Sequence, residues 1–198
     1  MKPFFLLASV LILISCATPE RDNPYDPDGI NYIGGKGNDI ANYKIVQIGE
    51  QVWMAENLNY NVTGSLCYDN VPANCKKYGR LYDFGTAMTV CPDGWHLSSS
   101  EDWDKLISYV ENNNGCSNCA WKHLKATNGW NGNGNGQNTY GFSALPGGYR
   151  FQSNFTNVGN YGSWWSSKNS IFIAYDDGNA GSQSSTGITF QSVRCVKD

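Results

Sequence analysis

With 198 residues, a net charge of −3 and 40% apolar side chains, the chain is sized for one domain and a short appendage, with enough apolar surface to bury a core. Its 14 Lys and Arg are scattered and nowhere interleave with aromatics as a basic run, which excludes a polybasic nucleic-acid binder. High glycine and aromatic content, with 22 Gly, 7 Trp and 12 Tyr, suits instead a loop-rich extracellular fold stiffened by rings and cross-links.

Residues 1–15 place one cation before an apolar run too short to span a membrane and closed by small residues, the pattern of a secretory signal peptide. The ending Leu13-Ile14-Ser15-Cys16 resembles the bacterial lipobox, which makes Cys16 the acylated first residue of the mature protein. Cys16 is also the odd member of seven cysteines. Several acyl chains on one cysteine anchor firmly, since each buried methylene contributes about 0.8 kcal/mol. The same resemblance implies that Ala17, in place of Asp, directs the protein to the outer membrane, on its cell-surface or periplasmic side. Residues 16–42, rich in Pro, Gly and polar side chains with no period, read as a tether holding the folded part, residues 43–198, off the membrane.

Lys44–Ile48 and Gln51–Ala55 are short apolar runs joined by Gly49-Glu50, a two-residue loop with glycine first, as in a hairpin. Residues 57–74 read as irregular. Residues 78–82 are strand-like, and Phe84, Ala87 and Met88 suggest a short helix. The stretch from Cys91 organises the rest. Pro92-Asp93-Gly94 turns the chain, Trp95-His96-Leu97 runs extended, and Ser98 with Glu101 forms a candidate capping box for a helix of about 12 to 14 residues. Trp103, Leu106, Ile107 and Val110 make its apolar stripe, and Asn112-Asn113-Asn114-Gly115 ends it. Residues 121–126 form a short strand or helical turn. Alternating Asn and Gly over 128–138 excludes regular structure and predicts a long loop. From Tyr140 on, short apolar runs alternate with glycine-rich turns, which reads as a small antiparallel sheet.

Export makes disulfides the expected state of the six cysteines after Cys16, although six leave many pairings open. The favoured set is Cys91 with Cys195, Cys67 with Cys75, and Cys116 with Cys119. Cys116-x-x-Cys119 has a second reading, as a redox or half-zinc motif. Against it, no second Cys pair or nearby His completes a metal site, and the pair follows a helix instead of starting one.

Six stretches in order, Gln51–Asn59, Tyr78–Tyr82, Val90–Leu97, Tyr140–Arg150, Trp164–Ser167 and Ser192–Asp198, resemble the Fibrobacter succinogenes major paralogous domain over roughly residues 45–198. That resemblance implies an α+β fold of the C-type-lectin-like kind found in formylglycine-generating enzymes. The expected form is a twisted antiparallel sheet with two flanking helices, long disulfide-tied loops and a disulfide near the C-terminus. Two departures stand out. Cys116 and Cys119 occupy what would be a plain glycine-rich loop, and Gln137-Asn138 replaces an acidic pair.

Chemistry is harder to place. His96 and His123 are the neutral-pH bases and neither sits in a catalytic motif. His96, between Trp95 and Leu97, reads as a buried structural histidine. Formylglycine generation needs a copper-binding cysteine pair late in the chain, where Cys195 stands alone. Calcium could draw oxygens from Asp176-Asp177-Gly178-Asn179 and from the Asn/Gly loop. The carboxylate motifs of calcium-dependent lectins are absent, so no cofactor is assigned. What remains is stacking of rings on sugar faces, for which Trp130, Tyr149, Tyr161 and Trp164 are the candidates. Adjacent Trp164 and Trp165 should point to opposite sides of a strand, leaving one exposed. The expectation is a lipid-anchored, non-catalytic envelope module that binds a polysaccharide or a partner protein, the alternatives being a scaffolding lipoprotein and, behind it, a metal- or thiol-dependent enzyme.

Overall fold

The computed structural model describes residues 43–176, 180–184 and 188–198, together with the backbone of residues 31–33. Cys16 and the signal segment lie outside the described residues. The fold is α+β, with many short strands and few helices.

The first sheet has five strands. β1 (Asn31–Ile33) pairs with β2 (Tyr43–Ile48), so part of the expected tether is an edge strand. β2 and β3 (Gln51–Met54) form the expected hairpin, with Gly49 at φ +61° as a tight two-residue turn requires. β4 (Ser65–Leu66) and β5 (Leu81–Asp83) belong to the second sheet. Between them stands α1 (Pro72–Tyr78), in a region expected to be largely irregular. Its seven residues are too few to show a period, and Pro72 at the first helical turn is its start signal. α2 (Phe84–Ala87) is capped by Asp83, whose carboxylate accepts from Thr86 N at 2.8 Å. β6 (Trp95–Leu97) then leads into α3 (Ser100–Asn114).

The cap of α3 sits one residue later than the sequence suggested. Ser99 is the N-cap and Asp102 its partner, while Ser98 is wholly buried and accepts a hydrogen bond from Trp103 Nε1 at 2.9 Å. α3 ends at left-handed Gly115, and α4 (Ala120–Leu124) follows. The rest is mostly strand: β7 (Tyr149–Phe151), β8 (Asn154–Thr156), β9 (Tyr161–Trp165), β10 (Ser170–Ala174), β11 (Ala180–Gln183), β12 (Thr189–Ser192) and β13 (Cys195–Lys197).

These strands supply two sheets, where one was expected. The second runs β11-β10-β9-β12-β5-β4, with β7 and β8 attached, and its β9–β12 contact is parallel. After β12 the chain leaves this sheet, and β13 inserts between β3 and β6 in the first. The crossing takes only Val193 and Arg194.

Two main apolar layers result, and a small third cluster holds Tyr78, Ala126 and Leu145. The larger holds Trp53, Trp103, Trp121, Phe142, Trp164 and Val196 beneath α3 and α4. Its rings meet tilted or edge-on, with Trp103 centroids 5.0 Å from Trp53, 5.7 Å from Phe142 and 5.8 Å from Trp164. The second gathers Met54, Tyr82, Leu97, Trp165 and the Cys91–Cys195 bridge. Wholly buried Arg194 lies against the larger layer, donating from Nη2 to Asn57 Oδ1 at 2.8 Å and from Nη1 to the Phe142 carbonyl, with its guanidinium 4.2 Å from the Phe142 ring. Trp164 Nε1 donates to the same Asn57 oxygen at 2.8 Å.

Candidate functional site

On β9, Tyr161 and Ser163 share one face by strand alternation, and Gly162 and Trp164 share the other. The register sets Ser163 beside Phe172 of β10, and Thr189 and Gln191 of β12 lie on the same side. With Tyr149 and Phe151 of β7, these residues line a cleft of about 530 Å³. That volume falls within the usual range for small-molecule sites, about 300–1,000 Å³. Its floor is polar and ordered. Buried Gln191 accepts from Ser163 Oγ at 2.6 Å and donates to Ser170 Oγ at 2.5 Å. Its walls are rings: Tyr161 and Phe172 stand 6.2 Å apart, and the Tyr149 hydroxyl accepts from Asn157 at 3.4 Å. No carboxylate or cation is among the described lining residues. The described lining offers flat apolar faces beside amide and hydroxyl groups and no charged side chain to neutralise an ionic ligand.

Of the four rings named from sequence, Tyr149 and Tyr161 line this cleft. Trp130 and Trp164 do not, being 4% and 0% exposed. Trp130 anchors the Asn/Gly loop: its indole donates to the Ala144 carbonyl at 3.0 Å, its backbone N–H donates to Asn135 Oδ1 at 3.0 Å, and Lys125 Nζ sits 4.9 Å from its ring. A glycine-rich loop needs an internal anchor to stay ordered, and this ring provides it. Trp164 lies in the main core.

Trp165 is buried too, at 4%, against the expectation that one of the pair faces solvent. The tryptophans do point opposite ways, but each side of β9 is covered there, by the main core on one and the Cys91–Cys195 layer on the other. Phe172, Ser163 and Gln191 were missed. The signal available was a polar residue at alternate positions of otherwise apolar strands, which marks a wet patch on a sheet face.

The cysteines pair as favoured from sequence: Cys67–Cys75, Cys91–Cys195 and Cys116–Cys119. His96 is not buried. Its side chain is 43% exposed between two carboxylates, Nδ1 lying 2.8 Å from Asp198 and Nε2 3.2 Å from Asp102. Burial works to raise the Asp102 pKa, but hydrogen bonds from the Ser99 hydroxyl and backbone, with His96 beside it, leave it below the usual value. The expectation that no histidine attends Cys116 and Cys119 is also overturned, because His123 lies with them. In the Asn/Gly loop, Asn135 and Asn138 spend their side-chain oxygens on the backbone N–H groups of Trp130 and Ser143. Residues 177–179 of the other calcium candidate lie outside the described residues.

The profile of the Fibrobacter succinogenes major domain matches residues 46–197. The chain belongs to that family. The match takes in the hairpin from Val46 onward, both sheets' later strands, the helices and the cleft, so cleft and crosslinks are built on the family's shared domain. Searches of curated proteins and of solved structures return no match. Membership carries no activity with it, since one fold hosts many functions. Among the described residues no helix is long and apolar enough to cross a membrane.

Proposed function

We propose that this member of the family is a non-catalytic binding module of the cell envelope, anchored through lipidated Cys16 in the outer membrane, that takes a neutral polysaccharide in the cleft between Tyr149 and Tyr161. We read its domain as C-type-lectin-like, with binding moved from calcium-held loops to a sheet face. The observation that carries the reading is the cleft itself, ring walls over an ordered amide and hydroxyl floor with no charge among its described lining residues. Sugar rings present apolar CH faces flanked by hydroxyls, and aromatic stacking with a few fixed polar groups is the complement to that. A scaffolding role is favoured less, because the rings named for binding divide into two buried anchors and two that meet in one cleft.

The test is binding of the chain lacking residues 1–16 to cellulose, xylan and soluble neutral glycans, with calcium and with chelator. Saturable binding that falls about tenfold in Tyr161→Ala, the equivalent of about 1.4 kcal/mol, and survives chelation supports the reading. Retention of full binding by the doubly substituted Tyr149→Ala, Tyr161→Ala chain, with its fold intact, removes the cleft from it. No binding to any glycan moves the weight to an envelope protein as partner.

A further inference from the structure

Cys116 follows the left-handed residue that closes α3, and Cys119 is the N-cap of α4. His123 comes four residues after Cys119, one helical turn, which brings the two side chains to one side of α4. The two sulfurs and a ring nitrogen of His123 all lie within 4.8 Å of one another, each residue partly buried. In a tetrahedral zinc site, with Zn–S near 2.3 Å and Zn–N near 2.0 Å, neighbouring donors stand about 3.5 to 3.8 Å apart. Once the disulfide is opened, the two sulfurs would have to part to about 3.8 Å and the imidazole nitrogen to come within about 3.5 Å of each, side-chain rotations on a backbone that already holds the three donors together. The imidazole is also oriented. His123 Nδ1 lies 2.9 Å from Thr139 Oγ1, Thr139 N donates to the His123 carbonyl at 2.9 Å, and the Tyr140 ring stands edge-on to it at 6.4 Å. With Nδ1 held by the hydroxyl, Nε2 is the nitrogen that would take an ion. A partner on the other nitrogen is what metal-binding histidines ordinarily have.

We propose that Cys116, Cys119 and His123 form a redox-gated zinc site. In the disulfide, both sulfurs are spent on each other and no ion is held. A dithiol reductant opens the bond by exchange: its two electrons pass to Cys116 and Cys119, its two protons leave them as thiols, and it departs as its own disulfide. Zn²⁺ then displaces the two thiol protons and binds both thiolates and His123 Nε2, with the fourth position taken by water or an incoming ligand. Thiolate with imidazole selects a soft or borderline ion over calcium or magnesium. The site stands apart from the glycan cleft and does not rest on it.

The experiment uses the full chain in detergent. It is reduced with limiting dithiothreitol and desalted without oxygen, and alkylation of one portion with mass spectrometry identifies the opened cysteines while the rest is kept unalkylated. Titration with Co²⁺ and then Zn²⁺ follows. The reduced chain should take one equivalent of Co²⁺, giving thiolate-to-cobalt charge-transfer and tetrahedral visible bands that Zn²⁺ abolishes, and the oxidised chain should give neither. His123→Ala should weaken Zn²⁺ binding at least about tenfold, and Thr139→Ala should weaken it less. The Cys116→Ser, Cys119→Ser chain should bind none. If that variant does not fold, wild-type chain alkylated at the two residues takes its place. The proposal is overturned by failure of Cys116–Cys119 to open before Cys91–Cys195, by absence of the cobalt spectrum in the reduced chain, by an unchanged affinity in His123→Ala, or by metal retained after both thiols are removed or blocked.

Discussion

Ser98 and Ser99 are adjacent and identical, yet one is a buried acceptor for Trp103 and the other caps α3. The choice falls on Ser99 because Asp102, three residues on, reaches back to Ser99 N at 2.9 Å and to its hydroxyl at 2.6 Å while also facing His96. Glu101, the partner expected for Ser98, points outward to Lys168 at 2.9 Å. Asp102→Asn keeps the Ser99 cap but removes the negative charge from the first turn of α3 and from beside His96, and should destabilise the fold by about 0.5–1 kcal/mol. Because the folded pKa of Asp102 is held below its ordinary value, its charge contributes stability above the unfolded pKa, and that contribution is lost as pH falls through the folded pKa. Chemical denaturation of both chains at neutral pH and at successively more acidic pH should show the gap between them closing on the acid side. Gly162 is a second residue whose role is local: a Cβ there would meet Trp164 Cη2 and the Leu145 carbonyl at under 3 Å. Gly162→Ala should cost about 1–3 kcal/mol by overpacking, readable as a lowered denaturation midpoint.

At the scale of elements, the short strands and the Asn/Gly loop were legible as such, but what they do depends on what covers them. β9 alternates Tyr161, Gly162, Ser163, Trp164 and Trp165, and that pattern says which side chains share a face. It does not say that the Trp165 end of the cleft-bearing face lies under the Cys91–Cys195 layer while the Tyr161 end stays open. Trp130 makes the same point, since in sequence a ring in a loop of Asn and Gly looks exposed, and here the loop folds around it. Substitution should separate the two kinds of aromatic residue. Trp130→Ala removes a buried ring and its hydrogen bond and should cost about 3–5 kcal/mol of stability, lowering glycan binding only through unfolding. Tyr161→Ala should leave the denaturation midpoint nearly unchanged and lower affinity directly. Parallel thermal melts and binding isotherms on the two variants check this.

The described residues form two sheets, joined where the chain passes from β12 of the second to β13 of the first. β13 reaches the first sheet after Val193 and Arg194, and Cys195 at its start is bonded to Cys91 across 104 residues of chain. The chain-entropy argument assigns such a closure about 4.7 kcal/mol, against about 2.5 kcal/mol for the loop between Cys67 and Cys75. Replacing Cys91 and Cys195 by Ser should therefore lower stability more than replacing Cys67 and Cys75, by about 2 kcal/mol in denaturant titrations.

Read alone, the sequence was enough to establish the α+β class, the hairpin at Gly49-Glu50, the helix from the Cys91 stretch and the family, because each rests on local turn chemistry, short-range periodicity or an ordered set of motifs; it favoured the three cysteine pairs the structure has while leaving other pairings open. It was not enough for the division into two sheets, the burial of Trp130, Trp164 and Trp165, or the exposure of His96. Those depend on which surfaces are brought against each other after the local elements have formed. A side chain's exposure is set by its neighbours in space, and those come from strands and loops far apart in the chain, as β13 beside β6 does for His96.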